Sequence, residues 1–402
     1  MSSRQWGQLM DGDESYAGSR SYYKFEKIVK EITGFKYIIP THQGRAAERI
    51  LFTSIDKKDG IVPNNTHFDT TRGNLEFLGI EAVDLPTAIG IDPAIEADFK
   101  GNIDTVALKE LIDRVGAGKI PLAMITITNN SGGGQPVSMA NIRETKKLLS
   151  DYGIPLFLDC CRFAENAYFI KMREPGYENK TIKEIAQEMF SYADGCTMSA
   201  KKDGLSNTGG FIGLNDEALA GKCQTLLIVT EGFLTYGGLA RRDLEALAIG
   251  FEEVLSEEYL RYRIGQVHYL GELLAAEGIP FIVPTGGHGI YLDAKRFAPH
   301  IDPEFFPGQS IACEIYIQAG IRTVEIGSVM FGKKDENGKH IGPNMELVRI
   351  AIPRRVYTKS HIEYTAEAIT EVYNKREELQ KMKIVWEAPF LRHFTAKFEY
   401  IK

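Results

Sequence analysis

The adjacent lysines Lys201 and Lys202 are the residues of this sequence that indicate most about its chemistry. They follow a short apolar run that ends at Met198, and a second apolar run, from Ile154 to Leu158, ends at Asp159. Runs of this kind predict buried parallel strands. A lysine held between such strands can be buried, and burial lowers the pKa of its amine, so that the amine can act as nucleophile and base.

These residue types meet the needs of a pyridoxal 5'-phosphate (PLP) enzyme. A lysine amine forms a Schiff base with the cofactor aldehyde. A carboxylate such as Asp159 keeps the pyridine nitrogen protonated, so that the ring can accept electrons. Ser199 and Lys201 are available for the phosphate. The competing interpretation is a solvated lysine pair and a structural pair of Asp159 with Arg162. The apolar flanks and the spacing to Lys202 disfavour it.

Other motifs allow two interpretations each. Gln43-Gly44-Arg45 stands where a strand meets a helix, which indicates either an anion site or a helix start with an exposed Arg. Phe68-Asp69 could place a ring over a flat cofactor, although alone it favours a strand end followed by a turn. Arg349, inside an apolar strand, could bind a substrate carboxylate or form an internal salt bridge. His393 alone would be a structural or surface residue.

The composition restricts the class of protein. The chain has 402 residues, 44% hydrophobic and 25% charged, with a net charge of -7, which predicts a soluble protein of two domains without a nucleic-acid partner. No apolar stretch reaches the ~20 residues of a membrane span, and the N-terminus does not resemble a signal peptide. Five cysteines without CxxC spacing predict a reducing, cytoplasmic location.

The apolar pattern predicts two domains, 1–255 and 256–402. The first alternates helices (26–32, 141–152, 182–192) with strands (37–39, 155–159 and a central strand within 121–128), which predicts a mostly parallel sheet covered on both faces. The first domain would also carry an N-terminal interface segment. The second is expected to be a smaller α+β domain with strands at 279–283, 289–292, 321–325 and 348–351, a helix at 362–379 and an exposed loop at 333–343.

Six stretches of the chain together resemble the β-eliminating lyases, the family of tryptophanase and tyrosine phenol-lyase. They are residues 12–19, 40–45, 133–138, 165–171, 198–203 and 394–396, spread over nearly the whole chain. The resemblance implies an α/β fold like that of aspartate aminotransferase (fold type I). It also implies PLP and a monovalent cation, usually potassium, as cofactors. The expected assembly is a homotetramer built as a dimer of catalytic dimers, which acts on a small amino acid.

The resemblance also assigns roles to individual residues. Lys202 would carry the cofactor and then move the substrate α-proton, while Asp159 would pair with the pyridinium nitrogen. The other expected cofactor contacts are Gln43, Gly44, Arg45, Phe68, Asn130, Arg162, Ser199, Lys201 and Tyr236. The expected substrate contacts are Arg349, Asn130, Ile326 and Val324. Tyr16, Asp69 and His393 would orient the leaving group or supply protons, and Glu14 with the backbone of Asn207 would bind the cation.

Three positions favour tryptophanase within this family. Where this chain has Asp69, Ile326 and His393, tyrosine phenol-lyase carries Thr, Arg and Phe. Indole has an N–H and an apolar body, which suit a carboxylate acceptor and an aliphatic wall, whereas a phenolate benefits from a nearby cation and donor. The expected reaction converts L-tryptophan to indole, pyruvate and ammonia. The alternatives are tyrosine phenol-lyase, a lyase for another β-substituted amino acid, and an inactive homologue or scaffold.

The family also carries an N-terminal arm before the position of Met1. That arm contributes to subunit contacts, to a cation ligand and to part of the carboxylate site. Because the family pattern is continuous from Arg4 onward, we expect a true start upstream of Met1 rather than an impaired, truncated relative.

Overall fold

The computed structural model describes residues 1–55 and 57–401, which form two units. The first comprises residues 1–87, 101–130 and 136–261, and the second comprises 88–100, 131–135 and 262–402. Segment 88–100 is tied into the second unit by Lys100, whose Nζ donates to the carbonyls of Asp92, Ile95 and Val283 at 2.7–2.8 Å. The domain bounds 1–255 and 256–402 stay a prediction from the sequence.

Helices and strands alternate through most of the first unit. The described α-helices are Ser3–Leu9 (α1), Arg20–Thr33 (α2), Gly44–Ile55 (α3), Asp69–Phe77 (α4), Thr105–Val115 (α5), Met139–Asp151 (α6), Phe163–Arg173 (α7), Ile182–Ser191 (α8), Glu217–Thr230 (α9), Arg241–Glu253 (α10), Glu257–Ala276 (α11), Ala294–Phe297 (α12), Pro307–Ala319 (α13), Ser328–Phe331 (α14) and Lys359–Asn374 (α15). The strands are Tyr37–Thr41 (β1), Ile61–Asn64 (β2), Glu81–Asp84 (β3), Ala123–Thr126 (β4), Leu156–Asp159 (β5), Gly195–Ser199 (β6), Gly210–Leu214 (β7), Gly289–Asp293 (β8), Val324–Ile326 (β9), Lys333–Lys334 (β10), His340–Ile341 (β11), Leu347–Ala351 (β12), Met382–Trp386 (β13) and Lys397–Tyr400 (β14).

The main sheet of the first unit has the strand order β1-β7-β6-β5-β4. Strand β7 is antiparallel to both of its neighbours, and the other four strands run in one direction. Alternate side chains of β7 lie on opposite faces of the sheet, and both faces are buried. Ile212 joins the core that includes α3 and α9, and the ring of Phe211 packs against Phe25 of α2 and Phe251 of α10. The predicted mostly parallel sheet between helices is therefore confirmed.

The predicted central strand within 121–128 is wrong in its position, because β4 ends the order of the main sheet. At the open edge of β4, the side chain of Asn65 takes the place of a neighbouring strand. The Asn65 amide donates to the carbonyl of Thr126 at 3.1 Å, and its Oδ1 accepts from the Thr126 N–H at 2.9 Å. These two bonds satisfy backbone groups that would otherwise need a pairing strand.

The second unit contains the antiparallel sheet β8-β12-β9. Its core joins Val348 and Ile350 of β12 to apolar side chains of α11, α13 and α15, including Leu270, Ile311 and Ile369. This agrees with the expected smaller α+β unit. No helix within the described ranges is long and apolar enough to cross a membrane.

Three predictions for the second unit were wrong in detail. Segment 279–283 forms only a single bridge, from Phe281 to Leu292, because Pro280 lacks a donor and the Val283 N–H bonds to Pro93 instead. The helix predicted to reach 379 ends at Asn374, followed by a short 3-10 turn. The loop at 333–343 contains the small hairpin of β10 and β11.

Candidate active site

A cavity in the first unit gathers many of the residues that the sequence predicted for a cofactor. The side chains around it come from α3, from the start of α4, from β5 and β6, and from the loops that follow these strands. They are Gln43, Gly44, Arg45, Glu48, Phe68, Thr70, Asn130, Asp159, Cys161, Arg162, Thr197, Met198, Ser199, Lys201 and Lys202. This position, beyond the carboxyl ends of parallel strands, is where open α/β sheets bind ligands.

Lys202 lies in a tight loop directly after β6. The Lys202 N–H donates to the carbonyl of Ser199 at 3.3 Å, and the Asp203 N–H donates to the carbonyl of Cys161 at 3.2 Å. The Asp203 carboxylate also accepts from the N–H of Ala164 at 2.8 Å. The loop is thereby fixed to the start of α7, while Lys201 is exposed and Lys202 is half-buried.

The surroundings of Lys202 favour a neutral amine. Burial is the main cause that lowers the pKa of Lys202, and the charge of Arg162 acts in the same direction. The acidic groups nearby, Cys161, Asp159 and Glu48, oppose this shift. The net result is an amine that can act as a nucleophile or base at a lower pH than an exposed lysine.

Asp159 and Arg162 occupy the end of β5 and the turn that follows it. Asp159 is 6% exposed and lies opposite Thr197 in the register of β5 and β6. Arg162 is also buried, and its Nε has no hydrogen-bond partner among the residues that the structure describes. A buried guanidinium donor without an acceptor is costly, and because Arg162 lines the cavity, a ligand acceptor there could satisfy it.

The start of α3 forms an anion site against the end of β6. A Cβ atom at Gly44 would lie 2.4 Å from the Cβ and 2.8 Å from the Cα of Ser199, so only glycine permits this approach. The first N–H groups of a helix lack partners within the helix and favour an anion. Together with Ser199 and the cations of Arg45 and Lys201, they suit a phosphate.

Phe68 and Asp69 differ in their relation to the cavity. Phe68 precedes α4 and lines the cavity, as a residue that stacks on a ring must. Asp69 is 6% exposed, its Oδ1 accepts from the N–H of Thr70 at 2.6 Å, and it is not among the lining residues.

Tyr16 and Tyr236 belong to a separate cluster in the first unit, organised by Arg241. The rings of Tyr16 and Tyr236 lie 5.8 Å apart, and the Arg241 guanidinium lies 4.2 Å from the centre of Tyr236. The same guanidinium donates to the carbonyl of Tyr16 at 2.9 Å and lies 3.9 Å from the carboxylate of Glu14. Arg241, which had no role in the sequence-based prediction, contacts three residues of the predicted site.

The predicted cation ligands are both accessible. The Glu14 side chain is 58% exposed, and Asn207 is exposed in the loop before β7. Within residues 1–55 and 57–401, no three His, Cys, Asp or Glu side chains form a group able to hold a metal ion.

The remaining predicted residues lie in the second unit. Arg349 of β12 is half-buried and directly faces Val324 of β9 in the strand register. Ile326, two residues along β9, is 2% exposed and packs in a small core with Tyr291 and Leu347. The ring of His393 lies 4.2 Å from that of Phe394. Arg349 and Val324 therefore form a neighbouring pair on one face of the sheet.

Several side chains of the cavity had no role in the sequence-based prediction. They are Glu48, Thr70, Cys161, Thr197 and Met198. Glu48 is the most consequential, because it adds a second buried carboxyl group beside Asp159. The helical period could have revealed it, since it follows Gly44 by four residues and therefore shares a face of α3 with that glycine.

The donor set of the cavity fits PLP. Lys202 supplies the amine, Asp159 supplies the carboxylate, and the start of α3 supplies the phosphate donors. The orphaned Nε of Arg162 offers a donor for a cofactor oxygen, and Phe68 supplies a ring to stack. Each group that PLP would present has a matching partner in the cavity.

Comparisons with known proteins agree with this site. The family model of the β-eliminating lyases matches residues 1–368. The chain is 53% identical to a tryptophanase of Hyphomonas neptunium over 399 residues, which is 99% of this chain and 87% of that protein. It is 48% identical to a tyrosine phenol-lyase of Symbiobacterium thermophilum over 401 residues, or 100% of this chain and 88% of that protein.

A comparison of structures supports the fold. A solved structure described as SPT with PLP matches 93% of this chain and 84% of its own, with a TM-score of 0.62 and 12% sequence identity. At this low identity the likeness concerns the fold alone, which is that of the fold type I PLP-dependent enzymes.

Proposed function

The chain belongs to the β-eliminating lyase family of carbon–carbon lyases, and we propose that it converts L-tryptophan to indole, pyruvate and ammonia with PLP. One observation carries the proposal: Lys202 and Asp159 line a single cavity with the phosphate donors of Gly44 and Ser199. The 53% identity to a tryptophanase supports this choice of substrate.

The cavity residues would hold the cofactor in defined roles. Asp159 would pair with the pyridine nitrogen, while Asn130 and Arg162 would lie beside the phenolic oxygen. Phe68 would stack on the ring, Tyr236 would complete the surroundings, and the phosphate would bind Gln43, Gly44, Arg45, Ser199 and Lys201. When bound, PLP supplies an electron-accepting ring that stabilises negative charge at the substrate α-carbon.

The protein's own groups would then move protons and orient the substrate. The lowered pKa of Lys202 makes the neutral amine more available than in an exposed lysine, and this amine would take the proton from the α-carbon. Arg349 would bind the α-carboxylate through two parallel hydrogen bonds. A group among Tyr16, Asp69 and His393 would protonate indole at C3, because a protonated indole is a far better leaving group.

The choice of indole over phenol rests on Asp69, Ile326 and His393. Asp69 would accept a hydrogen bond from the indole N–H, while Val324 and Ile326 would form an aliphatic wall. His393 would complete the leaving-group site. The second candidate, tyrosine phenol-lyase, is favoured only by the 48% identity to that enzyme, since this chain has the apolar Ile326 where that family member carries an Arg.

Product analysis tests this function. The protein is incubated with PLP and potassium and with either L-tryptophan or L-tyrosine, and indole and phenol are measured. We expect indole from the first substrate, none from Lys202→Ala, and an unchanged rate from Lys222→Ala, which removes an exposed lysine of α9. Release of phenol instead of indole would identify a tyrosine phenol-lyase. Absence of both products would favour an inactive homologue or scaffold.

We further propose that Glu14 and the backbone of Asn207 bind potassium, that the enzyme is a homotetramer built as a dimer of catalytic dimers, and that it acts in the cytoplasm. The family resemblance supports the first two statements. The five cysteines, all free of disulfides, support a reducing compartment. Replacing potassium with sodium in the assay tests the cation: equal rates in both salts would contradict it.

A further inference from the structure

Glu48 is a buried carboxyl group inside the proposed PLP cavity, although no role follows for it from the reaction. It lies on the second turn of α3, is 7% exposed, and lines the same cavity as Asp159 and Lys202. Among the described residues that line the cavity, Glu48 and Asp159 are the two carboxyl groups. Two like charges in one buried cavity repel each other, so the protonation of one depends on the other.

The hydrogen-bond partners of Glu48 are all neutral. Its Oε1 lies 2.6 Å from the hydroxyl of Thr71, and its Oε2 lies 3.0 Å from the hydroxyl of Thr70 and 3.3 Å from the amide of Asn74. No Lys, Arg or His side chain in the described part of the chain forms an ion pair with it. A buried carboxylate without a cation is costly, whereas a protonated carboxyl can donate to one threonine and accept from the other.

Glu245 of α10 provides a contrast within the same unit. It is equally buried, at 6% exposure, but its Oε2 lies 2.6 Å from the Nζ of Lys24. A paired carboxylate of this kind is stable in its charged form. At similar burial, the two glutamates thus differ in their partners: Glu245 lies beside a cation, whereas Glu48 contacts hydroxyl and amide groups.

The electrostatic surroundings of Glu48, like its hydrogen-bond partners, favour the protonated form of its carboxyl group. Burial and, next, the charge of Asp159 raise the pKa of Glu48 to about 7, against the opposing effects of Thr71, Thr70 and Lys202. The other titratable or charged groups around the cavity are Arg45, Cys161, Arg162 and Lys201. Burial also raises the pKa of the Cys161 thiol, so this thiol adds no negative charge.

We propose that Glu48 is a positioning residue that carries a proton in the working enzyme and so leaves Asp159 as the only negatively charged side chain in the cavity. The proposal rests on the proposed function, because it concerns the site that would hold PLP. Loss of the proton at higher pH would place a second negative charge in the cavity. That charge would favour the positive form of nitrogen atoms there, including the amine of Lys202.

Infrared difference spectroscopy observes this proton directly and does not depend on turnover. The spectrum of the PLP-loaded protein minus that of Glu48→Gln is recorded at about pH 6 and at about pH 9, on either side of the expected titration. We expect a protonated-carboxyl band at the lower pH that becomes a carboxylate band at the higher pH. The matched difference for Glu245→Gln should show a carboxylate band at both. A carboxylate band for Glu48 at both pH values would overturn the proposal.

The absorbance of bound PLP gives a second readout. We expect the midpoint of its pH titration to shift in Glu48→Gln by at least about 0.5 pH units relative to wild type, because the variant cannot ionise there. Glu245→Gln should keep the wild-type midpoint. Equal midpoints in all three proteins would contradict the electrostatic role. If Glu48→Gln does not fold, Glu48→Met, of similar volume and also without a charge, replaces it in both measurements. Neither readout requires cleavage of tryptophan, so failure of the proposed function is recognised separately.

Discussion

At the scale of single residues, the adjacent lysines Lys201 and Lys202 differ in exposure and therefore in the chemistry that suits them. Lys201 is exposed and suits a phosphate contact, whereas Lys202 is half-buried in the cavity. Both lysines line the cavity, but burial lowers the pKa of Lys202, on which the charges of Arg162 and Asp159 act in opposite senses. Because of this difference, only one of the two lysines is suited to be a nucleophile.

The lowered pKa of Lys202 predicts how covalent attachment of PLP depends on pH. Only the neutral amine attacks the aldehyde, so the attachment rate should rise with pH to a plateau. The midpoint of this rise should lie below 10.5, the ordinary lysine value. Rapid mixing of PLP with the PLP-free protein, followed by absorbance, measures this midpoint. The Lys202→Ala variant, which retains the exposed Lys222, serves as the control. It should show no rapid phase of PLP attachment. A midpoint at the ordinary lysine value would contradict the burial argument.

Residue types and their order predicted much of the cavity, but not all of it. Gly44, Arg45, Asp159, Ser199 and Lys202 could be predicted because each belongs to a motif with a chemical reason. Glu48 received no role, although it shares a face of α3 with Gly44, because a charged residue within a helix usually faces solvent. Its burial follows from the packing of α3 against the sheet, which is a tertiary effect.

At the scale of elements, the contact between the start of α3 and the end of β6 determines the phosphate site. We predict that Gly44→Ala weakens PLP binding by at least about tenfold, or about 1.4 kcal/mol, because its Cβ would overlap the backbone of Ser199. Titration of the PLP-free protein with PLP, followed by fluorescence or absorbance, measures this change. The control is Gly221→Ala on α9, where a Cβ meets no atom within 4 Å and stability should rise by about 0.5–1 kcal/mol. Unchanged PLP affinity in Gly44→Ala would refute the close contact.

Glu325 of β9 and Glu346, directly before β12, form a second pair of buried carboxyl groups. This pair predicts that stability depends on pH. Glu325 accepts from the N–H groups of Val329 and Met330, and burial followed by the charge of Glu346 raises its pKa to about 8. Its pKa in the unfolded chain is near the ordinary 4.5. The folded protein thus holds more protons between these values, and its stability should fall as pH rises from about 4.5 through about 8.

Urea denaturation between these pH values checks this prediction. The free energy of unfolding should decrease with pH in the wild type, and it should decrease less in Glu325→Gln, which cannot ionise. The control Glu304→Gln replaces an exposed carboxyl group of the same unit and should leave the wild-type slope unchanged. A slope in Glu325→Gln as steep as in the wild type would show that other groups are responsible.

The sequence predicted the type of most elements in the first unit but not the order of the strands. Alternating apolar runs and helical spacing identify β5, β6 and α8, because both signals are local. The edge position of β4 depends on the side chain of Asn65, which lies more than fifty residues away in the chain.

At the scale of the whole molecule, the family assignment connects the two units in one enzyme. The expected substrate residues Arg349, Val324, Ile326 and His393 lie in the second unit, whereas the PLP cavity lies in the first. Composition and periodicity predicted two domains, but only the family resemblance assigned these residues to one reaction. Segments 88–100 and 131–135 escaped prediction, because their place in the second unit results from contacts such as those of Lys100.

The proposed homotetramer gives a prediction about mass. Light scattering of the PLP-loaded protein in potassium should give four times the chain mass of 44.9 kDa. Dilution series with and without PLP would show whether the assembly depends on the cofactor. A single-chain mass under every condition would contradict the tetramer, and a stable dimer would support only the catalytic dimer.

The attachment of PLP to Lys202 is the central claim, and reductive trapping tests it most directly. The PLP-loaded protein is treated with borohydride, digested, and sequenced by mass spectrometry to locate the phosphopyridoxyl group. We predict the label on Lys202, its loss in Lys202→Ala and its retention in Lys201→Ala. A label on Lys201 or on a lysine outside the cavity, or no label in a protein that binds PLP, would contradict the claim.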